Sequence, residues 1–367
     1  MDLTNTVTPV TTLLQKALTI SEEEYHALPY LSYSCIKRYL DEGIDCIPHL
    51  FEPTESTPSL ALGSALDCKI TTPQEWESKF YIFDTFNVAT EKTAMVITDI
   101  RNALIEHSYR SLSSILADSD SHVQSVIEGI IQKHKFHSNL TLPTIKKKLN
   151  TEECEAFWRN YNAANGRTML TYYQGETLDN MLLSLRNHPI ISKLFFNQTR
   201  EGIDRYYQLK FTAEINGHIY KVMFDMLVVN HNTRTIYPYD LKTTSLKASE
   251  FWKAFVKFRY DIQCRLYTRV LKEVIKGTTL ENYTIRPFTN IVVSSKDLQS
   301  RLFVDYRNHE EGEIKVLLKS GVNLVFPDPV EVGEEMYRIM DNELSEPPYI
   351  SKTEYNDTFK LIMEHYE

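Results

Sequence analysis

Glycine is scarce, with 11 residues in 367 against a typical share of roughly 7%. No G-x-G occurs, and no glycine precedes a lysine. The phosphate-cradling loops of dinucleotide-binding folds, P-loop NTPases and protein kinases are thereby excluded, because each needs glycine to bring backbone amides onto phosphate. Cysteine is sparse as well: Cys35, Cys46, Cys68, Cys154 and Cys264 are odd in number and form no C-x-x-C. That removes zinc-ribbon spacing and argues against a disulfide framework, so a reducing, cytoplasmic setting is expected. No run of 18 apolar residues exists, so no membrane association is expected. The opening MDLTNTVTPV has no basic segment, so no signal peptide is expected. Positive charge is in deficit: 40 Lys and Arg face 49 Asp and Glu, a net charge of -9. A globally basic nucleic-acid binder is excluded, whereas a local basic groove is not.

What remains is an ordinary globular mixture, 42% hydrophobic and 24% charged, long enough for two domains or one with insertions. Residues 1–20 are Thr-rich and weakly periodic, which predicts a flexible arm. Ser21 followed by three glutamates predicts a helix start, and residues 32–39 a second helix. Residues 60–70 read as a helix after a Pro/Thr/Ser loop. Residues 91–195 read as mostly helical, with stripes at Ile97, Ile100, Leu104 and Ile105 and at Val123, Val126, Ile127, Ile130 and Ile131. Residues 133–148 carry Lys133, His134, Lys135, His137 and a triple lysine, either a solvated face or a DNA-facing patch. From Arg205 the period changes to that of strands, at 206–213, 218–229 and 235–241, with turns at 215–218 and 230–233. One long helix is expected over 248–276, strands at 290–294 and 301–306, and helices at 311–320 and 330–344. The layout predicts an α/β fold with a small central sheet and a large helical portion.

The chemistry concentrates in residues 217–267. Asp225 lies inside the apolar run KVMFDMLVV, where an ionised, unpaired acid would cost several kcal/mol. Asp240 and Lys242 follow as D-L-K on the next strand, side by side on one face. A four-residue loop at 230–233 would set Val229 opposite Arg234 and Asp225 opposite Pro238, on the face of Asp240 and Lys242. A five-residue loop would reverse that parity. Two carboxylates and a lysine suit a hard divalent cation such as Mg²⁺ bound to a phosphodiester. The lysine would orient or deprotonate a water, or neutralise transition-state charge. Taken alone, the same residues also describe a buried Asp240–Lys242 salt bridge beside a satisfied Asp225.

Asp225, the D-x-K strand and a helix carrying Gln263 and Tyr267 together resemble the PD-(D/E)XK nuclease superfamily, in its RecB-like and RecE-like branch. Asp240-Leu241-Lys242-Thr243-Thr244, Ala248, Phe251, Tyr260, Gln263 and Tyr267 resemble the exodeoxyribonuclease VIII (RecE-like) pattern. So do Leu31-Ser32-x-Ser34, the Gly63 to Leu66 stretch, the Asn165 to Thr171 stretch and Asn187-His188-Pro189. The resemblance covers residues 28–83 and 165–275. It implies a restriction-endonuclease-like core: a flexible arm at 1–20, core at 21–90, a helical insertion at 91–200 and the catalytic core at 201–367. It implies a metal-dependent 5′-to-3′ exonuclease on linear duplex DNA, serving phage-type homologous recombination. Its implied partners are DNA ends, a single-strand annealing protein and copies of itself in a ring. Asp225 and Asp240 would hold Mg²⁺ or Mn²⁺ with the Leu241 carbonyl; Lys242 would serve the water; Gln263 and Tyr267 would position DNA. Asp67 stands where the family has a histidine, and it and Glu201 are further candidate ligands. No cysteine follows Cys264, so no iron–sulfur cluster is expected. His309-Glu310-x-x-Glu313 lacks the second histidine of a zinc protease. Two alternatives stand beside the exonuclease: a degenerate nuclease fold that binds DNA ends or a replication partner, and an endonuclease with the same site.

Overall fold

The computed structural model describes residues 12–52, 57–84, 89–107, 109–196, 200–317, 321 and 323–341. They form two compact units, one within 1–55 and 181–367, the other within 56–180.

The chain begins in the first unit with α1 (Leu13–Lys16), α2 (Glu22–Ala27) and α3 (Tyr33–Glu42). Ser21 and Glu24 close a capping box, each side chain accepting the other's backbone N–H, which fixes the start of α2. The arm expected over 1–20 is not loose where it is described: Leu13 is buried, and the Leu18 N–H bonds the Lys210 carbonyl at 2.8 Å. Residues 1–11 lie outside the described residues.

The second unit holds α4 (Pro58–Thr71), α5 (Trp76–Lys79), β1 (Phe80–Ile82), α6 (Glu91–Ala103), α7 (Leu112–Ala117), α8 (Ser121–Lys133), α9 (Leu142–Leu149), α10 (Glu152–Ala164), β2 (Thr168–Leu170) and the start of α11 (Tyr172–Asn187). Val96, Ile97, Ile100, Leu104, Val123, Ile127, Ile131 and Trp158 share its core, so the two stripes meet. Ile105 is the exception and is exposed. The compact unit, 56–180, starts and ends earlier than the helical insertion expected over 91–200, although helices continue to Phe195. The parallel pairing of β1 with β2, Phe80 opposite Thr168, ties residues 57–84 to it.

Back in the first unit come α12 (Ile191–Phe195), β3 (Ile203–Ile215), β4 (His218–Asn230), β5 (Thr235–Thr244), α13 (Phe251–Lys257), α14 (Tyr260–Ile275), β6 (Thr284–Ile285), β7 (Thr289–Ser294), β8 (Ser300–Val304), β9 (Ile314–Leu317), β10 (Asn323–Phe326) and α15 (Pro329–Met340). The fold of this unit is α/β, with a mixed sheet in the order β3-β4-β5-β7-β8 and β6 beside β5. Asn216 and Gly217, both left-handed at φ 54° and 82°, turn β3 into β4 as an Asn-Gly hairpin does. β5 and β7 run parallel, which requires a crossover, and α13 and α14 supply it. Ile262, Leu266, Val270 and Val274 of α14 are buried in the core against β3 and β4.

Two expectations are corrected. The helix expected over 248–276 is broken at Arg259, whose backbone is left-handed at φ 55°. The helix expected over 311–320 contains the strand β9 instead, paired antiparallel with β10; Ile314 and Val316 alternate at period two.

Candidate active site

β4 and β5 pair from Asn230 opposite Thr235 to Met226 opposite Tyr239. The loop is four residues long, the shorter of the two alternatives, and starts one residue later than 230. Val229 faces Ile236, not Arg234, and Leu227, not Asp225, faces Pro238. The register differs by two, so the parity is kept. The pairing stops at Met226, and the next positions along it are Asp225 and Asp240.

Asp225 also marks a slip in the sheet. The core-facing residues of β4 run Tyr220, Val222, Phe224, then Leu227 and Val229; those of β3 run Phe211, Leu209, then Tyr206. Both strands lose one step of alternation at the same place. Tyr207 faces Met226 and Leu209 faces Phe224, with Gln208 left between them at φ 53°. A non-glycine residue in that conformation inside a strand is uncommon and marks local strain. At this slip the Asp225 carboxylate takes over a ladder position: its Oδ2 accepts the Leu241 N–H at 2.7 Å. A strand residue points its N–H and C=O to the same side. The Leu241 carbonyl therefore faces the same edge, beyond the last β4–β5 pair.

Asp240 is 2% exposed. Its Oδ1 accepts Gln263 Nε2 at 2.7 Å, and its Oδ2 lies 2.6 Å from Lys242 Nζ with no other donor. The break at Arg259 aims α14 so that Gln263 and Tyr267, one turn apart, face this carboxylate. Tyr267 is buried against Phe224 and Phe288, at ring separations of 5.1 and 5.9 Å. Burial, then the nearby Asp240 carboxylate, raises its hydroxyl far above the usual range, so it remains a donor. Burial alone would pull Lys242 down. The Asp240 carboxylate, then Tyr260 and Asp225, outweigh it and hold the ammonium well above its ordinary value. Lys242 Nζ also stands 4.6 Å from the Tyr260 ring centre.

Five expected site residues thus come together: Asp225, Asp240, Lys242, Gln263 and Tyr267. Glu201 does not join them. It is exposed in the turn before β3, and its carbonyl accepts the Asn232 side chain at the hairpin loop. Asn230, opposite Ile203, is five strand residues from Asp225, about 16 Å at ~3.3 Å per residue. Asp67 is half-buried on α4 of the other unit, where the Thr71 hydroxyl bonds its backbone carbonyl at 2.9 Å. Two residues went unforeseen. Gln208 carries no turn signal in the sequence. Asn290 lies beside Asp240 across the β5–β7 pair, fully buried, with Oδ1 lacking a donor.

The oxygen donors here suit a hard cation: two carboxylates, one carbonyl and the buried Gln263 Oε1, which has no partner. No cluster of three His, Cys, Asp or Glu side chains occurs among the described residues. Two carboxylates suffice for Mg²⁺, which keeps waters and takes further oxygens from phosphate. No helix among the described residues is long and apolar enough to cross a membrane. No family model matches the chain, and no curated protein matches it.

Proposed function

We propose that this protein is a metal-dependent deoxyribonuclease with a PD-(D/E)XK core, acting on the ends of linear duplex DNA as RecE-like exonucleases do. The observation that carries the reading is the Asp225 carboxylate on the Leu241 N–H, one strand from the buried Asp240–Lys242 pair. That bond fixes Asp225 and Asp240 on adjacent strands at the point where their ladder opens. Asp225, Asp240 and the Leu241 carbonyl would hold Mg²⁺ or Mn²⁺. When bound, the cation supplies phosphate polarisation and a water of lowered pKa. Lys242, held cationic, neutralises charge on the phosphate undergoing attack. Gln263 anchors Asp240 through Nε2. Tyr267 keeps its proton and closes the apolar wall behind that pair. The same reading includes strand-annealing recombination in a bacterial cytoplasm, an annealing protein as partner, and assembly into a ring.

The test is incubation with linear and closed circular duplex DNA in Mg²⁺, beside Lys242→Ala. Loss of linear DNA alone, slowed by about two to three orders of magnitude in the variant, supports the exonuclease. Cutting of the circle replaces it with an endonuclease. A second reading has its own observation: the Asp240–Lys242 pair already satisfies the buried charge without any metal. A degenerate, DNA-end-binding module would bind DNA, take up no Mg²⁺ or Mn²⁺ and cut neither substrate.

A further inference from the structure

The turn between α13 and α14 holds an aromatic ring out of the core. Lys257 and Phe258 are exposed, and Phe258 keeps 40% of its surface accessible. Behind them, buried Arg259 adopts its left-handed backbone and pairs with Asp261, Nε to Oδ1 at 3.0 Å and Nη2 to Oδ2 at 3.1 Å. The Tyr33 hydroxyl donates to the Phe258 carbonyl at 2.5 Å. The tip is therefore fixed from two sides.

Its ring begins a row. Phe258 lies 5.8 Å from Tyr260, and Tyr260 lies 6.2 Å from Tyr33. The inner end of the row is the candidate active site, through Lys242 over Tyr260. The outer end carries a second cation, with Lys257 Nζ 5.6 Å from the Phe258 ring. A row of rings that ends in exposed Phe258, with a lysine at each end of the row, matches an alternation of flat base and anionic phosphate. Aromatic faces accept any base, because every base has a π-face. Bases inside a duplex are already stacked on each other, so such a platform serves a base freed at a strand end.

Resting on the nuclease reading of this site, we propose that Phe258 is a stacking platform for an unpaired nucleobase beside the phosphate to be cleaved, with Lys257 on a flanking phosphate. The platform makes end recognition a property of this turn and makes Phe258 a positioning residue.

The experiment uses the full chain, Ca²⁺ in place of Mg²⁺, and a short duplex with 2-aminopurine at its terminal position. Binding of the unaltered protein should change the probe's fluorescence. Phe258→Ala should abolish that change and weaken end binding roughly 5- to 150-fold. Phe258→Trp should keep both, and Phe258→Leu, which has bulk but no π-face, should behave like alanine. Full fluorescence change and unaltered affinity in Phe258→Ala would overturn the platform, as would absence of DNA binding by the unaltered protein. Probe quenching without any cleavage in Mg²⁺ or Mn²⁺ would instead retain the platform and remove the hydrolase.

Discussion

The two units both bury an apolar core but differ in the charge they bury with it. In the helical unit, the described buried polar residues are Thr71 and Asn160, both neutral. Asn160 is satisfied locally by Asp84 and the Ala156 carbonyl. The sheet unit buries Lys221, Asp240, Arg259, Asp261, Arg265, Asp305 and Asp328. It also buries oxygens of Gln263, Asn290, Asp305 and Asn308 that have no donor. Buried ion pairs are a poor source of stability, since desolvation cancels much of the attraction. Their concentration in one unit therefore marks where the fold gives up stability for geometry. Helix α14 shows the division within one element. Gln263 and Tyr267 face the site, while Arg265 holds the structure behind it.

The largest effect should come from breaking that rear clamp. Arg265 is 1% exposed and donates to the carbonyls of Glu310, Gly312, Phe326 and Pro327 and to Asp328. Asp328 in turn caps α15 through the Val330 and Glu331 amides and accepts Arg269. Burial, opposed by Asp328, lowers the Arg265 pKa, yet the guanidinium remains charged. Arg265→Met should cost about 3–5 kcal/mol in denaturant unfolding, because it leaves several buried carbonyls without their donor and removes one of the two arginines that pair with Asp328. A loss below about 1 kcal/mol would mean that the ionic interior is incidental, and the contrast between units would dissolve.

The helical unit, whose buried polar residues are neutral, should respond mainly by volume. Ile127 is fully buried in the helical core. Ile127→Ala should cost about 2–4 kcal/mol, a transfer and cavity loss with no pH dependence. Amide exchange should accelerate through residues 123–131 of α8. A strong dependence on pH would show a charge buried there after all.

Legibility followed the same divide. The hairpin Asn216-Gly217, the apolar stripes and the D-L-K strand are local signals, and each produced its element. The break at Arg259 has no local signal, because arginine is not a turn former; its pairing with Asp261 and the core around it impose the bend. Residues 314–317 fit a helical stripe as readily as a strand until β10 supplies the partner. The slip at Gln208 and Asp225 was invisible for the same reason, since it belongs to two strands at once. The basic run at 133–148 is mostly a solvated face, with Lys133, Lys135, His137, Lys147 and Lys148 exposed. Lys133 and His134 both bond Asp99, and Lys146 bonds the Leu116 carbonyl and Gln124 within its own unit. Hydrogen bonding to Lys133, then His134, lowers the Asp99 pKa. Of the basic residues in the run, only His134 and Lys146 are partly buried by these contacts, which lie more than twenty residues away in sequence.

Asp305 gives the smallest and sharpest test of the charged interior. It is 4% exposed at the end of β8, with Oδ1 on the Arg307 amide and Oδ2 without a donor. Burial raises its pKa, against the lowering effect of Arg307. The sign follows from linkage. Above the ordinary carboxyl value of 3.8 the unfolded chain releases this proton while the folded chain still holds it, so stability falls as pH rises through that window. Below it, both states are protonated and no contribution is lost. Asp305→Asn removes the titration and keeps the oxygen that accepts from Arg307. Its unfolding temperature should match the unaltered protein's in acid, exceed it increasingly as pH climbs from 3.8 to the folded-state pKa, and keep that margin above it. A difference that stays flat across pH would show that Asp305 titrates alike in both states and that water, rather than a retained proton, satisfies its second oxygen.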